Sequence, residues 1–400
     1  MRPQLIIAPG KEKAILRRHP WIFSGAVKRV VGDPQEGDVV DVVSPQGEWM
    51  ASGHYQNESI ICKVLSFDTP QIDGDFFRQR IASAVAYRER MGFWKQPDTN
   101  VFRLVHAEGD GLPGLVCDWY NGVLVMQAHS VGMHRQFPLF ADIFHELLGD
   151  KLVALFDKSS TTVPGGGEDG NIAIFNPQFS IHGYKEHEIT ENGVKMLINF
   201  YEGQKTGFFI DQRENRKWVQ ELAGGQRVLN CFGYTGGFSL AALRGGAEYV
   251  ETVDISRKAI DLCNRNVVLN FGPDAPHQGT VADVLQYLST LNTQHSTFNF
   301  IILDPPAFAK NHRSLQQGLK GYRTINQRAL EALPAGGLLM TFSCSQAVSS
   351  DDFRTMVFTA SAMAGRKVRV VRTLPHAADH PVSIYHPEGE YLKGLLLEVE

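Results

Sequence analysis

Cysteine is scarce and unpatterned in this chain of 400 residues. There are five, Cys62, Cys117, Cys231, Cys263 and Cys344, an odd number without CxxC spacing. That argues against a disulfide framework and against a structural zinc site, and it makes a reducing cytoplasm the default compartment. No apolar run approaches the roughly 20 residues needed to cross a bilayer, and the opening Met1-Arg2-Pro3-Gln4-Leu5-Ile6-Ile7 is too short in its apolar part for a signal peptide. A soluble, unprocessed chain with no membrane partner is expected. Neither sign of charge dominates: 39 basic and 43 acidic side chains leave a net charge of −4, so any nucleic-acid contact has to come from local basic stretches. Internal repeats and long low-complexity tracts are missing as well.

The composition that remains, 43% hydrophobic and 20% charged with 38 Gly and 19 Pro, is that of an ordinary globular chain and excludes disorder over most of the length. At roughly 100–200 residues per domain, this length is too much for one core and predicts two or three domains. Residues 1–72 alternate apolar and polar residues in short runs such as Asp38-Val39-Val40-Asp41-Val42-Val43 and Ile60-Ile61-Cys62-Lys63-Val64-Leu65, split by turns at Gly32-Asp33-Pro34 and Ser44-Pro45-Gln46-Gly47. They predict a small β-rich barrel or sandwich. Its segment 11–29 carries six Lys or Arg and one acid, with Trp21 and Phe23 interleaved. Arg17, Arg18, Lys28 and Arg29 suit RNA phosphates, and Trp21 suits stacking on an unpaired base. The plain alternative makes the rings core and the charges a solvated face.

Residues 73–189 mix helix and sheet. A helix is expected over 76–90 from the spacing of Phe77, Ile81, Val85 and Met91, and another over Phe137–Leu148. Gly109-Asp110-Gly111-Leu112-Pro113-Gly114 makes a turn between two strand-like runs, and Pro164-Gly165-Gly166-Gly167-Glu168-Asp169-Gly170 reads as a flexible loop. From 190 to 400 strands alternate with helices, the pattern of a parallel sheet wound on both faces. Strands are expected at Arg227–Cys231, 249–253, 279–282, 298–303 and 338–342, followed by a terminal hairpin of 368–372 with 392–399. The helices between them are expected at 238–244, 259–269 and 323–333.

In such sheets ligands sit beyond the carboxyl ends of the strands, so the residues just after each strand are the informative ones. The first strand leads into Asn230-Cys231-Phe232-Gly233-Tyr234-Thr235-Gly236-Gly237-Phe238, whose glycines permit close backbone approach at a helix start. It is not GxGxxG, which disfavours a nicotinamide dinucleotide. After the second strand stand Asp254, able to accept from a ribose diol, and its neighbour Ile255; after the third stands Asp283, placed to accept from an adenine amino group. Either acid alone is as well explained as a helix N-cap. Together with the loop formed by Asn230, Phe232, Tyr234 and Gly236, they point to an adenosine ligand without a pyrophosphate, which describes S-adenosylmethionine (AdoMet).

The fourth strand ends in Asp304-Pro305-Pro306-Ala307-Phe308. Two prolines stiffen the turn and remove N–H donors, leaving a rim of acceptors that suits a flat base. A plain strand-to-loop turn is the alternative. The fifth strand ends in Thr341-Phe342-Ser343-Cys344-Ser345, bringing a thiol to the same rim. A thiol there fits methylation of cytosine carbon 5, a poor nucleophile that becomes enamine-like once a thiolate adds to carbon 6. The helix start at Ser349-Ser350-Asp351-Asp352 would favour the thiolate. Cys344 is thus the candidate nucleophile and Asp304 its candidate partner on the base, against the alternative that Cys344 is a small buried hydrophobe. The proton-removing base is not identified; Lys310 and Tyr322 follow the Pro-Pro turn but packing or solvation explains them equally.

With those residues in hand, the chain resembles the bacterial large-subunit rRNA cytosine-5 methyltransferases of the type called rRNA large subunit methyltransferase I. Besides the segments above, the resemblance runs through 16–26, Asp110-Gly111-Leu112-Pro113-Gly114, Lys205-Thr206-Gly207-Phe208-Phe209-Ile210-Asp211-Gln212-Arg213, Ala378-Asp379-His380-Pro381 and 387–394. It implies an RNA-binding PUA domain (1–72), a central α+β domain (73–189) and a C-terminal Rossmann-like class I methyltransferase domain (190–400). It further implies AdoMet as cofactor and 23S rRNA or a large-subunit precursor as partner. It makes Cys344 the catalytic cysteine and puts Lys205, Phe209, Gln212 and Arg213 beside the cofactor. Apart from the resemblance, 205–213 reads as a helix start with Asp211 capping and Arg213 solvated. Three alternatives stay open: methylation of an exocyclic amine, for which Asp-Pro-Pro and an aromatic need no cysteine; an RNA-binding assembly factor that holds AdoMet without catalysis; and a homodimer through apolar faces of the central region.

Overall fold

A computed structural model describes residues 2–163, 172–176, 186–291 and 297–400. The glycine-rich loop expected at 164–170 lies outside them. Contacts divide the chain into two units, one of residues 1–189, 198–210 and 378–389, the other of 190–197, 211–377 and 390–400. No helix among the described residues is long and apolar enough to cross a membrane.

The first unit holds two sheets. Strands β1 (Gln4–Ile7), β2 (Trp21–Phe23), β3 (Val27–Val31), β4 (Val39–Val43), β5 (Trp49–Tyr55) and β6 (Ile60–Ser66) form one in the order β2-β6-β5-β4-β1-β3, with a single helical turn, α1 (Lys13–Leu16), between β1 and β2. The alternation seen in sequence is the reason: Leu5, Ile7, Val40, Val42, Cys62 and Val64 turn inward and form its core. The second sheet, in the order β11-β10-β9-β8-β7, consists of β7 (Val101–His106), β8 (Leu115–Tyr120), β9 (Val123–Ala128), β10 (Ala154–Asp157) and β11 (Ile172–Ile174). Helices α2 (Gly74–Arg90), α3 (Val131–His134) and α4 (Phe137–Leu148) accompany it. Asp73 caps α2 by accepting from Phe76 N, and Phe76, Phe77, Ile81 and Ala84 face the core. The buried Arg88 on that face is satisfied by Asp110 at 2.6 Å and by the carbonyls of Arg103 and Asp379. The matching segments at 110–114 and 378–381 thereby meet. A hairpin of β12 (His187–Glu191) and β13 (Val194–Ile198) turns at Asn192-Gly193, a pair the sequence reading passed over.

The second unit is a seven-stranded sheet: β14 (Arg227–Cys231), β15 (Tyr249–Asp254), β16 (His277–Val281), β17 (Phe300–Leu303), β18 (Leu338–Ser343), β19 (Val368–Thr373) and β20 (Lys393–Val399). The order is β16-β15-β14-β17-β18-β20-β19, parallel except that β20 runs antiparallel between β18 and β19. Its helices are α5 (Arg213–Leu222), α6 (Gly237–Arg244), α7 (Arg257–Phe271), α8 (Val284–Thr290), α9 (Leu315–Ala332) and α10 (Ser350–Met363). The β-rich, α+β and Rossmann-like expectations all hold.

One helix departs from its expected bounds by more than two residues. α9 begins eight residues before 323, after a turn capped reciprocally by Asn311 and Ser314. Gly318 and Gly321 hide the helical pattern, and the structure shows why they are there. A Cβ on Gly318 would stand 2.7 Å from Ala309 Cβ, and one on Gly321 would stand 3.0 Å from the Phe308 ring. α9 lies directly against the segment that follows Asp304-Pro305-Pro306.

Candidate active site

Strand order reverses between β14 and β17, the point at which a parallel sheet opens a crevice for a ligand. In the loop after β14, Phe232, Tyr234 and Gly236 have φ of 58°, 47° and 89°. Left-handed backbone costs a non-glycine residue about 1–3 kcal/mol and persists only where the surroundings hold it. The holding frame is polar and buried: Asn230 Nδ2 donates to Ser239 Oγ (2.8 Å), which bonds Thr252 Oγ1 (2.6 Å), which bonds His277 Nε2 (2.7 Å). Asn230, 1% exposed, therefore lies beneath the loop, and its Oδ1 has no partner among the described residues. A Cβ on Gly236 would fall 2.4 Å from Cys263 Sγ, so this glycine is required by packing against α7 as well as by its backbone angle.

Asp254, at the end of β15, accepts from Tyr234 N–H at 3.0 Å on one oxygen and from Ser256 N–H at 2.8 Å on the other. Each oxygen keeps a second lone pair. Ile255 beside it is 72% exposed, an apolar face next to an anchored carboxylate. Asp283 caps α8 by accepting from Gln286 N–H (2.9 Å), which is the structural role a lone acid at a strand end was given.

Asp304 accepts from Gln212 Nε2 at 3.0 Å, and Gln212 Oε1 in turn accepts from Asn215 Nδ2 at 2.6 Å. The start of α5 thus orients Asp304. Arg213 is 1% exposed with Nε 3.3 Å from Glu214, so the solvated reading of it fails, and Asp211 accepts from the Tyr391 phenol at 2.7 Å. Lys205 and Phe209 belong to the first unit, where the Lys205 ammonium lies 5.6 Å from the centre of the Phe209 ring.

Past Asp304, Pro305 is buried and Pro306 exposed. Cys344 Sγ lies 3.8 Å from the Pro305 carbonyl oxygen, so the sulfur and the Asp-Pro-Pro turn share one rim. A second link fixes both loops: Ser345 Oγ accepts from Ala309 N–H (3.1 Å) and bonds the Tyr322 hydroxyl (2.8 Å). Tyr322 is fully buried and its phenol is pushed up by burial, which makes it a brace rather than a base; Lys310 is exposed. Of the five cysteines, Cys344 is the one that is not buried. Burial pushes the Cys62, Cys117, Cys231 and Cys263 thiols up, so those four hold their protons.

Sequence reading missed Lys393 as a site residue. It opens β20, is 6% exposed, and donates to the carbonyls of Ser345 and Tyr391, both at 2.7 Å. Burial pushes its ammonium down to about 8, against the opposing pull of Cys344 and Glu390. The available signal was a lysine heading an otherwise apolar strand, Lys393-Gly394-Leu395-Leu396-Leu397.

In the first unit Arg17, Lys28 and Arg29 are exposed and Arg18, with φ 61°, pairs with Asp68. Trp21 is half-buried: its indole N–H donates to Glu108 (2.9 Å) and its ring meets His386 edge-on with centres 4.3 Å apart. Phe23 is 48% exposed.

Comparison with known proteins identifies two matched regions. Residues 178–381 match the S-adenosylmethionine-dependent methyltransferase family model, and residues 5–67 match that of the PUA-like domain. Ribosomal RNA large subunit methyltransferase I of Klebsiella pneumoniae (strain 342) is 38% identical over 400 residues, covering 99% of this chain and 98% of its own. The protein of that name from Escherichia coli (strain SMS-3-5 / SECEC) is 37% identical over 401 residues, with 100% of both chains covered. A candidate SAM-dependent methyltransferase structure from Streptococcus mutans superposes with a TM-score of 0.84 at 22% identity and full coverage of both chains. At that identity it bears on the fold alone.

Proposed function

From its membership of the S-adenosylmethionine-dependent ribosomal RNA large subunit methyltransferase I family, we propose that this chain methylates carbon 5 of a cytosine in 23S rRNA through a transient bond from Cys344 to carbon 6. The observation that carries the reading is the placement of Cys344, the one unburied thiol, against the Pro305 carbonyl at the rim that bears Asp304.

The residues at the strand ends fit an adenosine. The Asp254 carboxylate, already fixed by two backbone N–H groups, accepts from the ribose diol. The exposed Ile255 offers its face to the adenine, and the Asp283 oxygen left over from capping accepts the adenine amino group. When bound, the cofactor supplies an electrophilic methyl group to carbon 5 and departs as the neutral thioether.

Cys344 does the work on the base. Its thiolate forms the bond to carbon 6 and the electron pair of the 5,6 double bond moves to carbon 5, which becomes enamine-like. After methylation a base removes the carbon-5 proton, the 5,6 double bond re-forms, and the carbon–sulfur bond breaks to return the thiolate. Asp304, oriented by Gln212, hydrogen-bonds the exocyclic amine of the cytosine and fixes its register.

Residues 1–72 are proposed to hold the RNA, with Arg17, Lys28 and Arg29 on phosphates and Phe23 available for stacking. The target base has to leave its stack, at a cost of a few kcal/mol that is least in an unpaired site. The test is transfer of labelled methyl from AdoMet to large-subunit rRNA taken from cells lacking the methyltransferase. Cys344→Ala is expected to lose product while AdoMet affinity stays within a few-fold. Full activity in that variant would move the assignment to an exocyclic amine.

A further inference from the structure

We propose that Lys393 is a positioning residue for Cys344: its ammonium group, clamped between the Ser345 and Tyr391 carbonyls, holds the neighbouring thiol in the ionised form. The inference rests on the reading of Cys344 as nucleophile and adds to it a charged side chain that favours thiolate at neutral pH. An ordinary thiol titrates near ~8.5 and is only a few per cent ionised at pH 7.

The register of the sheet brings the two residues together. Ser343 pairs with Lys393 across β18 and β20, so the lysine lies one residue from Cys344 along the neighbouring strand, and its Nζ bonds the carbonyl of the residue on the far side of that cysteine. Buried charges are found paired, because an isolated ammonium in a dry site costs several kcal/mol. Lys393 is 6% exposed, yet no carboxylate lies within ion-pair distance of it among the described residues, and two carbonyls occupy two of its three N–H groups. A thiolate at Cys344 is the missing counter-charge.

The titratable groups facing this pair come from each neighbouring element. Tyr322 on α9 is a buried phenol held neutral, Asp304 at the end of β17 is oriented by Gln212, and Glu390, exposed, precedes β20. Burial pushes Lys393 down only to about 8, so it stays mostly protonated at pH 7. A neighbouring cation favours the charged form of a thiol and lowers its titration midpoint.

The experiment is the pH dependence of Cys344 alkylation by iodoacetamide in the full-length enzyme, followed by peptide mass spectrometry; the other four cysteines are buried and serve as internal controls. The wild-type midpoint is expected at least one unit below the ordinary thiol value. Lys393→Met is expected to raise it by at least one unit, roughly a tenfold loss of thiolate at neutral pH, and Lys393→Arg to keep it within half a unit of wild type. A wild-type midpoint at or above the ordinary value overturns the proposal without recourse to any variant. So does an unchanged midpoint in Lys393→Met. If the profiles come out as expected while Cys344→Ala still methylates, the nucleophile assignment fails and the charge coupling stands.

Discussion

Asp254 and Asp283 look alike in sequence, each an acid at the end of a parallel strand, but their oxygens are used differently. Asp283 spends one oxygen on capping α8, whereas both Asp254 oxygens are fixed by backbone N–H groups and stand next to an exposed isoleucine. A charge-assisted hydrogen bond is worth about 1.5–3 kcal/mol. Asp254→Asn exchanges one acceptor for an amide donor, so AdoMet affinity measured by calorimetry is expected to fall about ten- to a hundredfold. An unchanged affinity would remove Asp254 from the cofactor site. The same scale shows what a sequence conceals. Cys344 and Asp304 were legible because each ends a strand. Arg213 was not, since a charged side chain near a helix start is ordinarily solvated and this one is buried with its Nε against Glu214. Lys393 escaped because its place opposite Ser343 depends on β20 inserting antiparallel beside β18, a matter of topology that no local pattern encodes.

At the scale of elements, α6 and the loop before it make the sharpest case. The loop holds two non-glycine residues in left-handed backbone, and Gly236, at φ 89°, has no room for a Cβ beside Cys263. Gly236→Ala adds both backbone strain and a clash, costing about 1–3 kcal/mol. The expected outcome is a lower Tm together with weaker AdoMet binding, checked by thermal denaturation with and without cofactor. Retention of both would show that the loop is not set by its glycine. Most strands of the second unit were readable from alternation, and Arg227–Cys231 falls where the pattern puts it, as does the helix Phe137–Leu148 of the first unit. α9 was half hidden because its glycines answer to the chain after the Pro-Pro turn rather than to helix propensity. The hairpin at Asn192-Gly193 carries the same Asn-Gly turn signal as Asn121-Gly122 between β8 and β9.

At the scale of the whole molecule, the first unit carries the exposed Arg17, Lys28 and Arg29, and the second carries the thiol of Cys344 and the strand-end acids Asp254, Asp283 and Asp304. Formal net charge is −4, so attraction to RNA has to be local rather than global. That division of labour has meaning only if a base reaches Cys344 and bonds to it. The most direct measurement uses a large-subunit rRNA fragment carrying 5-fluorocytidine at the target position, incubated with AdoMet and resolved on a denaturing gel. Fluorine at carbon 5 cannot leave as a proton does, so the account predicts a denaturation-resistant protein–RNA species with the wild-type protein and none with Cys344→Ser. Normal methylation of the unsubstituted fragment with no such species from the fluorinated one would contradict it.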